Sequence, residues 1–354
     1  MSQSLDNSAA LQQQVQQAIA AATPLNICGG NSKLFYGNTP YGTTLDVRSH
    51  QGIISYEPTE LVITARSGTR LQEIESILAD KNQMLAFEPP AFNPQSTIGG
   101  AMACNLSGPR RPCAGAARDF MLGCSIINGK AESLRFGGQV MKNVAGYDVS
   151  RLMAGALGTL GVILDVSLKV LPKPETELTL VLASTVEESI AHAQNWQRNP
   201  VPVSAISFDS EKLYVRISGM SKVVQQTQKT IGGETLADAD NFWRSSSQQR
   251  NEFFNTADNL WRLSVPANSA AMELQGDWFY EWGGAQRWLK TTMPADVIRA
   301  AAQAVGGHAT LYRGDATIEK FQPLARGLKV LHQQLKLAFD PHAIFNRGRL
   351  YRDI

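Results

Sequence analysis

The sequence predicts an α+β protein in which a glycine-rich domain is followed by a smaller α/β domain. Two observations support this prediction. Twelve of the 29 glycines lie between Pro94 and Ile163, and glycine lets a backbone approach a ligand closely because it has no Cβ. All six tryptophans lie beyond Pro172 and Pro174, so the composition changes at this proline pair. We therefore expect a domain boundary there.

Hydrophobic spacing predicts the elements of the first half. Leu11 and Val15 fall on one face of a helix over residues 8–22. Thr97 is a typical N-cap residue and precedes a short predicted helix over residues 97–104, whose first N–H groups would face an anion. The other predicted elements are strands over residues 25–28, 44–47, 53–55, 61–65 and 162–171 and a helix that begins at residues 69–70.

A β-hairpin is predicted near the middle of the glycine-rich region. Its strands cover residues 121–127 and 131–136. Asn128-Gly129 lies between them, and this pair is preferred in type I′ turns. We therefore expect a type I′ turn at this point.

Strands and helices alternate beyond the proline pair. Residues 235–260 are polar and poorly periodic, which leaves two alternatives, a helix-rich insert or a mobile loop. The predicted elements are strands over residues 178–183, 203–208 and 211–217 and helices over residues 186–198 and 221–230.

One loop of the first half has the pattern of an anion-binding backbone. Gly29-Gly30-Asn31-Ser32 follows a predicted strand, and such a turn can direct successive N–H groups at an anion. The chain contains no G-x-x-x-x-G-K and no G-x-G sequence. These absences exclude a Walker A loop and a nicotinamide-type Rossmann fingerprint.

Charge and cysteine content exclude several other classes of protein. The net charge is +2 and the basic residues are scattered, which argues against nucleic acid as a partner. Four cysteines without a C-x-x-C pair indicate reduced thiols and no metal site. The polar N-terminus does not resemble a signal peptide, and no apolar run reaches the roughly 18–20 residues of a membrane span. We expect a cytoplasmic protein that meets the inner face of the cell membrane only through partners.

Several motifs resemble those of a known family. Thr97-Ile98-Gly99-Gly100 and Gly158-Thr159-Leu160-Gly161 resemble the loops of PCMH-type (vanillyl-alcohol-oxidase-like) FAD proteins. Further motifs make nearly the whole chain similar to the FAD-binding E subunits of bacterial glycolate oxidase (glycolate dehydrogenase). These motifs are residues 26–33, 108–112, 135–138, 140–148, 282–284 and 306–310.

The resemblance implies a fold and a domain division. It implies a PCMH-type FAD-binding domain of two α/β lobes over residues 1–172 and a short, tryptophan-rich cap domain over residues 173–325. Residues 326–354 would return to the flavin domain.

The resemblance also implies a function. The chain would be the FAD-binding subunit of a complex that oxidises glycolate to glyoxylate, and D-lactate to pyruvate. A larger homologous FAD subunit and an iron–sulfur subunit would be its partners. Two alternatives stay open, a self-sufficient flavin-dependent 2-hydroxy-acid oxidoreductase and a non-catalytic assembly subunit.

The family's motifs imply a set of cofactor-binding residues. Some relatives bond the flavin covalently through a His in the Gly-Gly loop, and Asn31 stands near that place here, which implies noncovalent FAD. Each glycine has the alternative of serving only a turn. The implied FAD-binding residues are Gly29, Gly30, Asn31, Ser32, Thr97, Gly99, Gly100, Asn105, Ser107, Gly158, Gly161 and Ile163.

Other polar residues beside these loops have two interpretations. Arg111 is a candidate to orient phosphate or carboxylate through its planar guanidinium, whereas Arg118 and Asp119 either do the same or form a structural ion pair. A polar cluster before the last flavin loop either lies by the cofactor or forms a capped, hydrogen-bonded loop. Its members are Lys142, Asn143, Tyr147 and Asp148.

His308 is the candidate catalytic residue. It follows Gly306-Gly307, and a flanking glycine pair lets a strand approach a ligand closely. A His there could act as a base toward a 2-hydroxy acid, although a lone His is more often structural. The chain lacks the His pair and the Glu-His motif with which similar full-length D-2-hydroxy-acid dehydrogenases hold a metal. This departure favours oxidation on the larger partner.

The tryptophans of the second half have two interpretations. Trp282, Trp288 and Gly283-Gly284 could form a contact surface for partner subunits. Core packing is the alternative, and it is the commoner role of tryptophan.

Overall fold

The computed structural model describes residues 5–138, 148–256 and 259–354 and confirms the predicted α+β class. The hydrophobic core consists of several clusters that lie under two main sheets. Among the described residues, no helix combines the length and the apolar character needed to cross a bilayer.

The first half contains nine strands and five helices among its described residues. One 3₁₀ turn, Ala117–Phe120, supplements them among these residues. The strands are β1 (Leu25–Cys28), β2 (Thr43–Asp46), β3 (Ile53–Glu57), β4 (Val62–Arg66), β5 (Gln83–Met84), β6 (Met121–Ile127), β7 (Ser133–Gly137), β8 (Val162–Lys169) and β9 (Leu171–Pro172). The helices are α1 (Ser8–Ala20), α2 (Leu71–Ala79), α3 (Ile98–Cys104), α4 (Arg111–Ala114) and α5 (Val149–Met153).

A five-stranded sheet organises this half. Its order is β3-β4-β8-β6-β7, and neighbouring strands are antiparallel. Leu71, Ile74 and Leu78 recur at helical spacing on α2 and are buried in the sheet's core cluster. Ile98 and Met102 of α3 are buried in the same cluster. The core therefore fixes α3, which carries a predicted phosphate loop at its start.

Residues of the C-terminal segment contact the first half. Phe345 forms a parallel bridge with Leu25 of β1 and is buried in the cluster that contains α1. The Nζ atom of Lys336 donates to the carbonyl of Thr159 at 2.8 Å and to Asp340 Oδ2 at 2.7 Å. These buried bonds join the tail to the turn before β8.

The predicted hairpin is present, but its type I′ turn is wrong. Ile127 pairs with Ser133, so five residues connect the strands where a type I′ hairpin has two. Asn128 Oδ1 accepts hydrogen bonds from the N–H groups of Lys130 and Glu132 at 3.0 and 2.9 Å. This side chain satisfies the longer loop locally, and Ala131 has the left-handed backbone with φ of 60°.

The second half forms an eight-stranded sheet of order β13-β10-β12-β11-β15-β16-β14-β17, in which the described neighbours are antiparallel. The strands are β10 (Thr176–Ala183), β11 (Val203–Phe208), β12 (Lys212–Gly219), β13 (Glu234–Thr235), β14 (Leu260–Ser264), β15 (Asp277–Glu281), β16 (Gln286–Lys290) and β17 (His308–Arg313). The helices are α6 (Val186–Arg198), α7 (Ser221–Ile231), α8 (Ala239–Ser247), α9 (Ala295–Ala304) and α10 (Arg326–Phe339). The described part of residues 235–260 is therefore helix-rich, since it contains α8 and a 3₁₀ turn.

The tryptophans of this half belong to the core. Trp282 and Trp288 are only 8% and 2% exposed, which supports the core interpretation of these two residues. Trp282 Nε1 donates to the carbonyl of Gly108 at 3.0 Å. This buried bond joins the second sheet to a loop of the first half.

Candidate functional site

An open cleft lies where three loops of the first half meet. The loops are the turn after β1, the start of α3 and the turn before β8. Ten of the twelve predicted cofactor residues line it. They are Gly29, Gly30, Asn31, Ser32, Thr97, Gly99, Gly100, Gly158, Gly161 and Ile163.

The first two loops lie against each other with almost no intervening space. A Cβ at Gly30 would lie 1.6 Å from the carbonyl oxygen of Gln95, and one at Gly29 would lie 2.6 Å from Thr97 Oγ1. Ser96 Oγ donates to Ser32 Oγ at 2.8 Å. Glycine is therefore required at Gly29-Gly30 by the contact between two loops, whether or not a ligand is present.

The N-terminus of α3 is capped by the side chain of Thr97. Thr97 Oγ1 accepts the N–H of Gly100 at 3.3 Å, which confirms Thr97 as the N-cap. A Cβ at Gly99 would lie 2.5 Å from Ser67 Cβ, whereas one at Gly100 would meet only Thr97 Oγ1 at 3.3 Å. Of these two glycines, Gly100 leaves its open side to the cleft.

The third loop is held by a residue from the C-terminal tail. Leu157 and Gly158 have φ of 50° and 72°, which places two successive residues in the left-handed region. Asn346 Nδ2 donates to the carbonyl of Leu157 at 2.6 Å, and its Oδ1 accepts the N–H of Ile27 at 2.7 Å. Asn346 therefore joins the turn before β8 to strand β1.

Two buried cations line the cleft. Lys33 is 6% exposed and its Nζ contacts Ser32 Oγ at 3.3 Å, while Arg349, also 6% exposed, donates to the carbonyls of Leu34 and Lys33 at 3.1 and 3.2 Å. Burial lowers the pKa of both groups. Among the described residues, no carboxylate forms a salt bridge with either cation. A buried cation is costly without an anion, so this cleft favours an anionic ligand.

Ser67 adds a polar atom that has no partner in the protein. Its Oγ is buried in the cleft wall and makes no hydrogen bond. Buried polar atoms are usually paired, so Ser67 Oγ is available to a ligand. Ser67, Asn346 and Arg349 were absent from the residues that the sequence motifs indicated. Ser67 lies outside any glycine motif, and the other two are more than 300 residues from Lys33 in the chain.

Two predicted cofactor residues have structural partners instead of a place in the cleft wall. Asn105 Oδ1 accepts the N–H of Arg118 at 3.0 Å, and Ser107 Oγ accepts the N–H of Ala117 at 3.0 Å. Both side chains hold the loop that follows α3. Their direct contact with a cofactor stays a prediction.

The neighbouring candidates for orienting groups are dispersed. Arg111 lies over the ring of Trp282, 4.4 Å from its centroid, and Arg118 forms a long 3.9 Å pair with Asp119 at the surface. Asp148 caps α5 by accepting the N–H of Arg151 at 3.2 Å. Lys142, Asn143 and Tyr147 lie outside the described residues.

His308 lies at the start of β17 and is exposed; it does not line the glycine-rich cleft. Partial shielding of the ring from water, together with the nearby guanidinium of Arg262, lowers its pKa. The described ranges contain no group of three His, Cys, Asp or Glu side chains that could hold a metal ion. The catalytic role of His308 stays a prediction.

Cys104 is the thiol that lies in the cleft wall. Burial raises its pKa, so the thiol stays protonated near neutral pH. None of the four cysteines forms a disulfide in the structure.

Comparisons with known proteins identify the ligand class. Residues 4–137 match the family described as "FAD binding domain". The chain is 46% identical over 350 residues to glycolate oxidase subunit GlcE of Escherichia coli (strain K12), a match that covers 99% of each chain. It is 33% identical over 175 residues to glycolate oxidase subunit GlcD of Bacillus subtilis (strain 168), but that match covers 47% of this chain and 36% of GlcD.

A solved structure shows the same fold. The structure of an alkyldihydroxyacetonephosphate synthase superposes with a TM-score of 0.69 at 16% identity, covering 95% of this chain and 73% of that one. Fold, cleft and similarities together define an FAD-binding oxidoreductase of the PCMH type. The chain belongs to the family of glycolate oxidase GlcE subunits, and FAD is its cofactor.

Proposed function

We propose that the glycine-rich cleft holds FAD without a covalent link. The unpartnered Ser67 Oγ, the buried Lys33 and the open side of Gly100 fit a polar, anionic dinucleotide. No His lines the cleft among the described residues, and Cys104 is a protonated thiol, which supports noncovalent binding. The residues proposed to hold FAD are Gly29, Gly30, Asn31, Ser32, Thr97, Gly99, Gly100, Gly158, Gly161 and Ile163, with Lys33, Ser67 and Arg349 added.

The two buried cations are the single observation that most supports this proposal. FAD carries a pyrophosphate, and its negative charge would neutralise Lys33 and Arg349, two cations that the described part of the protein leaves without a carboxylate partner. Bound FAD supplies the ability to accept a hydride. This chain's residues bind and orient the cofactor, and the close contact between the Gly29-Gly30 loop and residues 95–97 excludes water from behind it.

We infer that the chain acts as the flavin subunit of a complex that oxidises glycolate to glyoxylate, and D-lactate to pyruvate. The support is the full-length similarity to a protein named glycolate oxidase subunit GlcE, and the partial similarity to one named GlcD. A larger homologous FAD subunit and an iron–sulfur subunit are its proposed partners. Contact with a membrane would then occur through these partners.

We also propose the domain division at residues 172 and 325. Its support is that the five-stranded sheet takes its strands from residues 53–169, whereas the eight-stranded sheet takes its strands from residues 176–313. Residues 326–354 would form the segment that returns to the first half.

A self-sufficient oxidoreductase is the second candidate. The observation that favours it is that Arg262 lies close enough to His308 to lower the pKa of the imidazole, which keeps a neutral base beside a cation. Such a pair could bind a carboxylate and accept a proton from a 2-hydroxy acid.

The visible spectrum of the purified chain, recorded before and after anaerobic addition of glycolate, tests these functions. We expect a yellow protein that glycolate does not bleach, because oxidation occurs in the complex. Bleaching of the chain by itself would support the self-sufficient enzyme. A colourless chain that still restores activity to its partners would contradict FAD binding and support an assembly role.

A further inference from the structure

A basic pocket of about 260 Å³ lies where the C-terminal tail meets residues 38–41 and the segment after β17. A single water molecule needs a volume of roughly 10–15 Å³, so the pocket can hold a ligand several times larger. Three of its side chains are cationic, and none of the described residues that line it carries a carboxylate. The polar side chains of the wall are Asn38, Thr39, Tyr41, Lys320, Arg347 and Arg352.

Lys320 is the buried cation of this pocket. The residue is 7% exposed, and its Nζ donates to the carbonyls of Gly314 and Asp315 over long distances of 3.3 and 3.5 Å. Among the described residues, no carboxylate forms a salt bridge with Lys320. Burial lowers the pKa of its ammonium group and Arg352 lowers it further, although the charge of Asp315 opposes both. The Asp315 carboxylate is itself bonded to Thr317, whose N–H and hydroxyl it accepts at 2.8 and 2.7 Å. A buried ammonium with such weak partners gains most from an anionic ligand.

Arg352 and Arg347 supply the other two cations. Arg352 Nε lies 3.2 Å from Glu319 Oε2, and Arg352 Nη2 donates to the carbonyl of Ala316 at 2.9 Å, so the guanidinium has a fixed orientation. Arg347 is exposed and forms no salt bridge within the described ranges. Glu319 therefore offsets one of three cations. This charge balance favours a ligand with more than one negative charge.

The pocket is a separate site from the glycine-rich cleft, although the two share two chain segments. Among the described residues none lines both: Pro40 and Arg349 line the cleft, whereas their neighbours Thr39 and Gly348 line the pocket. Asn38 Nδ2 donates to the carbonyl of Gly348 at 2.9 Å, and Arg349 Nη1 donates to the carbonyl of Asn38 at 2.5 Å. These bonds join the two segments between pocket and cleft. A ligand in the pocket would therefore occupy a different space from FAD.

We propose that this pocket binds a phosphate group, either as inorganic phosphate or as part of a small phosphate monoester. Such a group carries a charge of about −1.5 to −2 near neutral pH and several strong acceptor oxygens, whereas a single carboxylate carries one negative charge. Lys320, Arg347 and Arg352 supply the matching donors, because arginine binds phosphate through paired hydrogen bonds and lysine acts as a compact positive charge. Thr39 and Tyr41 add hydroxyl groups to the wall. The assignment rests on the pocket and not on the substrate of the flavin reaction.

Calorimetric titration of the FAD-loaded chain with inorganic phosphate tests this site. FAD fills the glycine-rich cleft in this experiment, so the cations of the cleft are not available to phosphate. Sodium chloride at about 0.15 M screens binding to isolated surface charges. We expect saturable binding to the wild type and at least 10-fold weaker binding to Lys320→Met and to Arg347→Met, since each variant loses a hydrogen bond between charged groups. Arg198→Met, at an exposed arginine that ends α6, should leave binding unchanged.

Glycerol 2-phosphate distinguishes the two sources of the phosphate group. Tighter binding of this compound than of inorganic phosphate would support the pocket with a monoester as its ligand. Weaker but saturable binding would support the pocket with inorganic phosphate as its ligand. In both cases Lys320→Met should weaken binding.

Three results would overturn the proposal. The first is the absence of phosphate binding to the wild type. The second is binding that survives in both Lys320→Met and Arg347→Met when each variant keeps its flavin absorbance and its cooperative thermal unfolding. The third is competition by sodium acetate as strong as competition by phosphate, because this would show that one negative charge satisfies the pocket.

Discussion

Arg216 of β12 is buried and forms an ion pair with the partly buried Glu88 of the first half, with Arg216 Nη2 2.8 Å from Glu88 Oε1. Arg110 contacts the same carboxylate at 3.2 Å and reaches Glu177 of β10 at 2.5 Å. Two carboxylates and two guanidinium groups therefore alternate across the junction of the two sheets. This network joins Glu88 and Arg110 of the first half to strands β10 and β12 of the second sheet.

Removal of one guanidinium from this network should destabilise the protein. Arg216→Met would leave Glu88 with Arg110 as its remaining partner in the network. The carboxylates of Glu88 and Glu177 would lose part of their pairing while they stay less well solvated than in water. We expect a loss of about 3 kcal/mol, at the lower end of the range for buried pairs because Glu177 is partly exposed. The measurement is urea unfolding followed by tryptophan fluorescence.

Arg151→Met is the matched control, since Arg151 and Asp148 form an ion pair whose side chains are about half exposed. This variant should lose under about 1 kcal/mol. Equal losses in the two variants would show that the junction network contributes no more than a surface pair.

Gly30→Ala and Gly100→Ala should distinguish a glycine that is needed for loop packing from one that is needed for contact with the ligand. An alanine at Gly30 forces two loops apart because its Cβ would lie 1.6 Å from the Gln95 carbonyl oxygen. We expect a loss of at least about 1–3 kcal/mol in the apoprotein. Gly100→Ala should keep the stability of the apoprotein and weaken FAD binding. If both variants fold and bind FAD like the wild type, the proposed contact geometry is wrong.

Lys33→Met should change stability and cofactor affinity in opposite directions. The buried ammonium costs free energy in the apoprotein, so the variant should be as stable as the wild type or more stable. Its affinity for FAD should fall about 10–100-fold, the usual worth of a hydrogen bond to a charged group. Thermal unfolding of the apoprotein and fluorescence titration with FAD measure the two effects.

Lys212→Met is the control for this experiment, because Lys212 is an exposed residue of β12. Lys212→Met should change neither the stability of the apoprotein nor its affinity for FAD. Unchanged FAD affinity in Lys33→Met would show that Lys33 is not part of the FAD site.

Glu281 should make stability depend on pH. Burial raises its pKa from an ordinary 4.5 to about 7, so the folded state holds a proton that the unfolded chain releases between these values. Its contribution is therefore present below pH 4.5 and is lost as the pH rises to 7, by up to about 3 kcal/mol. Glu281→Gln should remove this dependence.

The check is urea unfolding of wild type and Glu281→Gln at pH 5.5 and 7.5. The difference between the two proteins isolates this group, since other titrating residues are common to both. We expect the variant to gain relative stability at pH 7.5. A constant difference across the range would refute the raised pKa.

Local sequence patterns predicted much of the fold because their causes are local. Leu11 and Val15 lie at helical spacing on α1, and Thr97 caps α3 through an atom three residues from its partner. The hairpin at Asn128 was predicted with the wrong turn. Its Asn side chain bonds two N–H groups of a longer loop, and the Asn-Gly pair by itself does not reveal this competing arrangement.

The sequence could not reveal contacts that depend on tertiary structure. Arg349 reaches the cleft because the chain returns after more than 300 residues, and Ser67 is a site candidate only because its burial leaves Oγ unpaired. The sequence also left the role of the tryptophans open between two interpretations. Composition located them, but it could not decide between a surface and the interior, where Trp288 in fact lies.

Acid denaturation of the flavin-replete chain, followed by centrifugation, tests directly whether FAD is held without a covalent bond. We expect about one FAD per chain in the supernatant and a colourless protein pellet. Flavin that remains with the pellet, or a chain that yields no FAD at all, would contradict noncovalent binding in the glycine-rich cleft.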